Sequence, residues 1–230
     1  MRALGLALAI AVGVAPPGLV AQDVAARLHG RVEANVVRAV QGIAQDAETR
    51  GLPVEPLIQK AIEGGAKGVP ADRVITAVEV LAARLDEARS ALRDAGIQAP
   101  SPEAIEGGAD ALNAGLSLRH IRDLGRVSRP PYSPALTLRV AATLTALGVP
   151  AQQGLQLMQH MIQAGREPNE LQDLPNQVQV DMTRGATAAQ AAEALDSGEG
   201  GESPQARDGQ HGEQGQEDQQ GQQGPSLRKP

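Results

Sequence analysis

The sequence of 230 residues has no Cys, no Trp and no Phe, and its only aromatic side chain of the Phe, Tyr and Trp set is Tyr132. Without Cys, a disulfide framework and a metal site with thiolate ligands are excluded. Without a set of aromatic rings, there is no stacking platform for sugars or bases. The core is therefore expected to consist of Leu, Val, Ile, Ala and Met, which suit closely packed helices.

Recognisable catalytic patterns are also missing. None of the four histidines pairs with another at the helical spacing that metal ligands need. Neither a phosphate-binding Gly-rich loop ending in Gly-Lys nor a Gly-x-Ser-x-Gly nucleophile turn occurs. We therefore predict no enzyme activity, no metal and no cofactor. The histidines are His29, His120, His160 and His211.

The first residues have the three-part pattern of a secretory signal peptide. Arg2 supplies the positive start, residues 3–15 are all apolar or Gly, and the segment ends at the small residue Ala21. An apolar run of this length is shorter than the roughly 18 to 20 residues that span a bilayer as a helix. We predict that residues 1–21 are removed, which leaves a periplasmic or secreted protein that begins near Gln22 and has no transmembrane anchor.

The composition changes sharply at the other end. Residues 198–230 include eight Gly and eight Gln, and their only aliphatic side chains are Ala206 and Leu227. Such a segment cannot bury enough apolar surface to offset the entropy lost on ordering. We predict a disordered, Gly- and Gln-rich, acidic tail that acts as a spacer.

Residues 22–197 have the apolar periodicity of helices and no sustained alternation of the kind that strands show. Gly96 is expected to end the helix with the clearest stripe. A second helix is expected to have Ser133 as its N-cap, Pro134 in its first turn and Gly148 at its end. The clearest stripe contains Val74, Val78, Leu81, Leu85, Ala88 and Leu92.

A turn motif recurs between the predicted helices. It consists of Gly, any residue, then Pro, Ser, Thr or Glu, and an aliphatic residue four positions later. Gly is expected to take a positive φ that ends one helix, and the third residue to start the next helix as N-cap or first residue. The aliphatic residue then faces the core. Copies begin at Gly51, Gly68, Gly115, Gly165 and Gly185, with a variant at Gly148.

The hexapeptide Ala-Ile-Glu-Gly-Gly-Ala occurs twice, at residues 61–66 and 104–109. Units of about 45 residues suggest paired helices stacked as in a helical repeat. We predict an all-α domain over residues 22–197, either an array or an irregular bundle of short helices with helix-turn-helix repeats. The paired glycines are expected to let helix backbones approach closely, and the equivalent Glu63 and Glu106 to be helix-surface residues.

The turn at Gly115 resembles a DNA-binding helix-turn-helix in its small and aliphatic positions, which are Ala111, Gly115, Leu116, Ser117, Ile121 and Leu124. If the following helix continues through Gly125, four arginines form one basic stripe that could contact phosphates. The formal net charge of -6 and the predicted export oppose nucleic-acid binding. We interpret the stripe as a solvated face and, as the alternative, as a contact for an anionic lipid, a cell-wall polymer or an acidic partner. The stripe comprises Arg119, Arg122, Arg126 and Arg129.

These observations favour an exported, non-enzymatic helical protein of the cell envelope or secreted space. It would have a structural role or bind an unknown protein or envelope polymer through helix faces or grooves. One alternative is a nucleic-acid-binding helix-turn-helix protein, if the chain is not exported. The other is an exported cell-wall hydrolase with an unrecognised site. Residues 154–159 interrupt the Gly-Leu-Met-Gln string of lytic transglycosylases by two residues and lack the preceding Glu-Ser pair, so they do not indicate membership of that family.

Overall fold

The computed structural model describes residues 18–198, with side chains from residue 23 onward, and this part of the chain contains helices and no strand. The predicted all-α fold is confirmed. The signal-peptide prediction falls mainly on residues 1–17 and the tail prediction on residues 199–230, which lie outside the described residues. The helices are α1 (Gly18–Leu28), α2 (Ala34–Thr49), α3 (Glu55–Ala66), α4 (Ala71–Asp94), α5 (Pro102–Asn113), α6 (Leu118–Val127), α7 (Pro134–Ala146), α8 (Ala151–Gln163), α9 (Pro168–Thr183) and α10 (Ala188–Asp196).

The predicted turn motif is present at every copy. The motif glycines all have positive φ, from +64° at Gly68 to +103° at Gly115, and Gly96 ends α4 at +93°. These values lie in a region that side-chain-bearing residues rarely adopt, which explains why Gly recurs there. The aliphatic residues of the motif are all buried, as expected. They are Leu57, Val74, Ile121, Leu155, Leu171 and Ala191.

Side-chain caps begin several helices as the sequence indicates. The hydroxyl oxygens of Ser117, Ser133 and Thr187 accept hydrogen bonds from backbone amides three residues later, at 3.3, 3.2 and 3.2 Å. The expectation for Pro53 is wrong: the N-cap of α3 is Val54, and the proline in the first turn is Pro56. A proline suits that turn because its missing N–H would have no partner there.

The helices of the described residues form a packed array. Within the described residues, each helix packs extensively only against helices one or two places away in the chain. This pattern is typical of repeat architectures. The even-numbered helices follow one another in one row, and α5, α7 and α9 follow one another in a second row. The long helix α4 joins the two rows, since it packs against α2, α3, α5 and α6.

The second copy of the duplicated hexapeptide lies at the centre of this array, where α5 packs between α4 and α7. A Cβ atom on Gly108 would lie 2.7 Å from the Cβ of Ala88 on α4, and one on Gly107 would lie 3.3 Å from the backbone oxygen of Ala135 on α7. The close approach predicted from the paired glycines is therefore present. In the first copy, Gly65 instead faces the backbone of Arg31 in the α1–α2 turn. Identical sequences thus have different neighbours.

Candidate binding groove

The predicted arginine stripe is shorter than expected. Helix α6 does continue through Gly125, but it ends at Val127, and Ser128 has extended backbone angles. The Ser128 hydroxyl is buried, 2.7 Å from the backbone oxygen of Leu124 and 2.7 Å from the hydroxyl of Thr137. Arg129 directly precedes Pro130, and the residue before a proline is disfavoured in the helical conformation, so the helix ends here and Arg129 does not continue the stripe. Three of the four arginines remain on α6: Arg119, Arg122 and Arg126.

Aspartates accompany the three arginines on α6. Asp123 lies 3.0 Å from the guanidinium of Arg126 and 3.7 Å from that of Arg119. Arg122 lies 3.7 Å from Asp94 at the end of α4. This surface is therefore an ion-paired one, which weakens its attraction for nucleic acid. Binding of another anion there stays a prediction.

The residues that resemble a helix-turn-helix have a structural role in this fold. Ala111, Leu116, Ile121 and Leu124 are all buried, between 0 and 4% exposed. The same turn geometry recurs at the other motif glycines, such as Gly185. The resemblance therefore reflects how this chain joins its helices, and it does not single out α6 as a recognition helix.

A groove of about 560 Å³ lies between α7 and α9. Its α7 side carries residues three or four positions apart, which places them along one side of the helix. Its α9 side lies away from the buried Leu171 and Val178. Apolar side chains and the ring of Pro175 alternate with polar groups along the groove. It is lined on α7 by Leu136, Arg139, Val140, Thr143 and Leu147, and on α9 by Gln172, Pro175, Asn176 and Gln179.

Two glutamines of this groove have no hydrogen-bond partner within the described part of the chain. Gln172 and Gln179 are exposed and form no hydrogen bond there. The positive charge of Arg139 acts on three carboxylates of α5, where it favours a lower pKa; they are Glu103, Glu106 and Asp110. Asn176 donates a hydrogen bond of 3.2 Å from its amide to Asp173. No motif in the sequence marks these residues. Their spacing along α9 was visible in the sequence, but only the packing of α9 beside α7 shows that they line a groove.

Three carboxylates on α5 flank one end of the groove. Glu103 lines the groove, and hydrogen bonds from its own backbone amide and from Ser101 lower its pKa. Burial raises the pKa of Glu106, and the nearby charges of Glu103 and Asp110 raise it further. Asp110 keeps an exposed surface, but the surrounding protein displaces enough water to raise its pKa as well.

The two duplicated glutamates are not equivalent. Glu63 is exposed on α3, and hydrogen bonds from Lys67 and Lys60 lower its pKa. Glu106 is half-buried on α5, and its pKa is raised. The expectation that both are simple helix-surface residues therefore holds for Glu63 and is wrong for Glu106. The cause is the burial of α5 between two other helices.

A larger cavity, of about 840 Å³, lies at the end of the array between α8, α9 and α10. The Nδ1 atom of His160 lies 2.8 Å from a carboxylate oxygen of Asp196 at its rim. Among the described residues, no group of three His, Asp or Glu side chains is arranged to hold a metal ion.

None of the helices described above combines the length and the apolar character needed to cross a membrane. Comparisons with known protein families, curated proteins and solved structures found no match for this chain.

Proposed function

We propose that this protein is an exported, non-enzymatic helical-array protein that binds an extended peptide segment of a partner protein in the α7–α9 groove. The observation that carries the proposal is a pair of exposed glutamines beside an apolar floor, Gln172 and Gln179, whose amides form no hydrogen bond with any residue of the described range 18–198. Helical repeat arrays present extended surfaces of this kind to their partners.

The chemistry of the groove suits a peptide backbone. Each glutamine or asparagine amide has donors and an acceptor, and so it can pair with both the N–H and the C=O of a peptide. Leu136 and Leu147 are eleven residues apart on α7, or about 16 Å at 1.5 Å per residue. An extended peptide rises about 3.3 Å per residue, so about five residues would occupy this length. Arg139 would pair with a carboxylate of the peptide.

The packing of α1 is consistent with removal of residues 1–21. Among the α1 side chains that the structure describes, from residue 23 onward, the buried ones are Val24 and Leu28. Arg27 forms two hydrogen bonds with the carboxylate of Glu55 on α3, at 2.6 and 2.7 Å. This pairing lowers the pKa of Glu55 to about 2. A mature chain that begins at Gln22 would keep these contacts.

Export is tested by intact-mass measurement and cell fractionation of the protein expressed in a bacterial host with its own leader. A product that begins near Gln22 outside the cytoplasm is the expected result. A full-length cytoplasmic product would contradict the exported part of the proposal, and it would favour the nucleic-acid alternative. The groove can be tested independently of this outcome.

Peptide binding is tested with a pool of fluorescently labelled octapeptides that are acetylated and amidated at their ends, screened by fluorescence anisotropy. The best-binding peptides are then titrated against a Gln172→Ala/Gln179→Ala double variant. Loss of two hydrogen bonds at about 1 kcal/mol each predicts an affinity lower by roughly tenfold or more.

A matched control uses Gln152→Ala/Gln156→Ala, because these glutamines are also exposed and helical but lie on α8, away from the groove. This variant should bind the same peptides as tightly as the wild type. The proposal would be rejected if both double variants lost affinity equally, or if no peptide in the pool bound the wild-type protein.

One observation favours the hydrolase alternative. The half-buried Glu106 has a raised pKa, which suits a general acid, and it lies near two other carboxylates. However, Glu106 lines neither the 560 Å³ groove nor the 840 Å³ cavity. Cleavage of purified peptidoglycan by the wild type, with loss of cleavage in Glu106→Gln, would support this alternative over peptide binding.

A further inference from the structure

The 840 Å³ cavity lies at the end of the array, on the side of α9 opposite the peptide groove. Its apolar surface comes from Leu157, Met161, Leu174 and Leu195. Met161 and Leu195 are only half-buried, because α10 has nine residues and covers part of the longer α8 and α9. Gly198, the last described residue, also lines the cavity. The chain therefore leaves the array at the edge of an incompletely covered apolar surface.

The rim of this cavity is acidic. Glu170 and Asp196 lie on it, and the backbone carbonyl end of α10 adds the negative end of a helix dipole. Arg166 pairs with Glu170 at 2.9 Å and offsets its charge. Asp196 is paired with His160, so the rim has two carboxylates and only one arginine. The cavity therefore favours a ligand that places an apolar group on its floor and a cationic group at its rim.

We infer that the segment Leu227-Arg228-Lys229 of the same chain, which lies beyond the described residues, docks in this cavity. Residues 199–225 contain six Asp or Glu and a single basic residue, Arg207. The two adjacent cations Arg228 and Lys229 follow directly after Leu227, the only large aliphatic residue beyond Gly198. This segment therefore has an apolar side chain that can cover the exposed apolar floor of the cavity, and positive charges that the acidic rim attracts.

The length of the intervening chain permits this contact. Twenty-eight residues separate Gly198 from Leu227, and they reach at most about 100 Å when fully extended. Linkage within one chain gives an effective concentration in about the millimolar range, so even a weak contact is occupied.

Methyl NMR on the full-length protein tests this docking. The chain has no Cys, so a Ser226→Cys variant takes a single nitroxide spin label, and the methionine methyl groups are labelled with ¹³C. Met161 lines the cavity, and Met182 does not. The expected result is that the Met161 signal is attenuated at least twofold more than that of Met182. The additional change Leu227→Asp/Arg228→Glu/Lys229→Glu should abolish this difference.

Two controls separate docking from proximity along the chain. In the Ser226→Cys background, Ala206→Asp/Arg207→Glu makes comparable changes elsewhere in the tail, and it should leave the attenuation unchanged. The second control is a mixture of two protein samples, one with the spin label and no ¹³C, the other with ¹³C and no spin label. The Met161 signal should not be attenuated in this mixture. Attenuation in that mixture would assign the contact to a second copy and overturn the inference. Equal attenuation of the Met161 and Met182 signals would also overturn the inference, as would attenuation of Met161 that persists after the triple change.

Discussion

At the scale of single residues, Glu63 and Glu106 show how strongly surroundings determine ionisation. Both occupy the third position of the same hexapeptide, so their local sequences are identical. Two lysines lower the pKa of Glu63, whereas burial and neighbouring carboxylates raise that of Glu106. A raised carboxyl pKa in the folded state means that the folded protein binds a proton more tightly than the unfolded chain does. The tighter proton binding therefore stabilises the folded protein fully at a pH below the pKa of the glutamate in the unfolded chain. This stabilisation is lost as the pH rises through the pKa of the glutamate in the folded protein.

We predict that Glu106→Gln increases the free energy of unfolding at pH 7, because the neutral amide avoids the cost of a half-buried charge beside two carboxylates. The gain should shrink as the pH falls towards 4, where Glu106 of the wild type becomes protonated. Urea unfolding of both proteins at pH 7 and pH 4 measures this difference.

Glu63→Gln is the matched control, since a lowered carboxyl pKa stabilises the folded state above the unfolded pKa. This exposed residue should therefore give no gain at pH 7, and at most a small loss. An equal gain from both variants at pH 7, or a gain from Glu106→Gln that does not change with pH, would contradict the assignment.

At the scale of the helices, glycine has two separate roles in this chain. Positive-φ glycines end helices, whereas Gly107 and Gly108 lie inside α5 and let it approach α4 and α7. A glycine inside a helix lowers its intrinsic stability, so its presence there needs a reason in the packing. Gly42 in α2 has no such reason, because a Cβ atom added there would have nothing within 4 Å.

Alanine substitution should separate these two cases. Gly108→Ala would place a Cβ atom 2.7 Å from that of Ala88, so α4 and α5 must move apart at a cost of about 1 to 3 kcal/mol. Gly42→Ala should instead stabilise the protein by about 0.5 to 1 kcal/mol. Urea unfolding of the two variants tests this, and a Gly108→Ala variant as stable as the wild type would show that the α4–α5 contact is looser than described.

At the scale of the whole molecule, the array makes stability a local property. Each helix depends mainly on its neighbours in the chain, so helices at the ends have fewer partners than those in the middle. Helices α4, α5 and α7 share the most extensive packing, whereas the described part of α1 packs mainly against α2 and α3, and α10 mainly against α8 and α9. The described domain should therefore open from its ends.

Native-state hydrogen exchange followed by mass spectrometry should show this gradient. We expect the slowest exchange in α4 and α5, and faster exchange in α1 and α10. Gly108→Ala should accelerate exchange in α4, α5 and α7 while changing α1 and α10 little. Uniform exchange across all ten described helices, or uniform acceleration by this variant, would indicate one global unfolding unit in place of an array.

The all-α class, the helix-ending glycines and most helix starts were predictable because each depends on residues close together in the sequence. Gly115 needs a positive φ, Ser133 caps the amide three residues on, and Leu171 faces inward one turn later. The choice between an array and a bundle could not be made in this way, because both show the same apolar stripes.

Tertiary structure decided the candidate sites. The amides of Gln172 and Gln179 become a peptide groove only because α9 packs beside α7. Arg122 of the arginine stripe is paired with Asp94 because the end of α4 lies beside α6. The sequence by itself determined where helices begin and end, since caps and turns act over three or four residues. Charge pairing, burial and grooves depend on which helices are neighbours, and that is a property of the packed array.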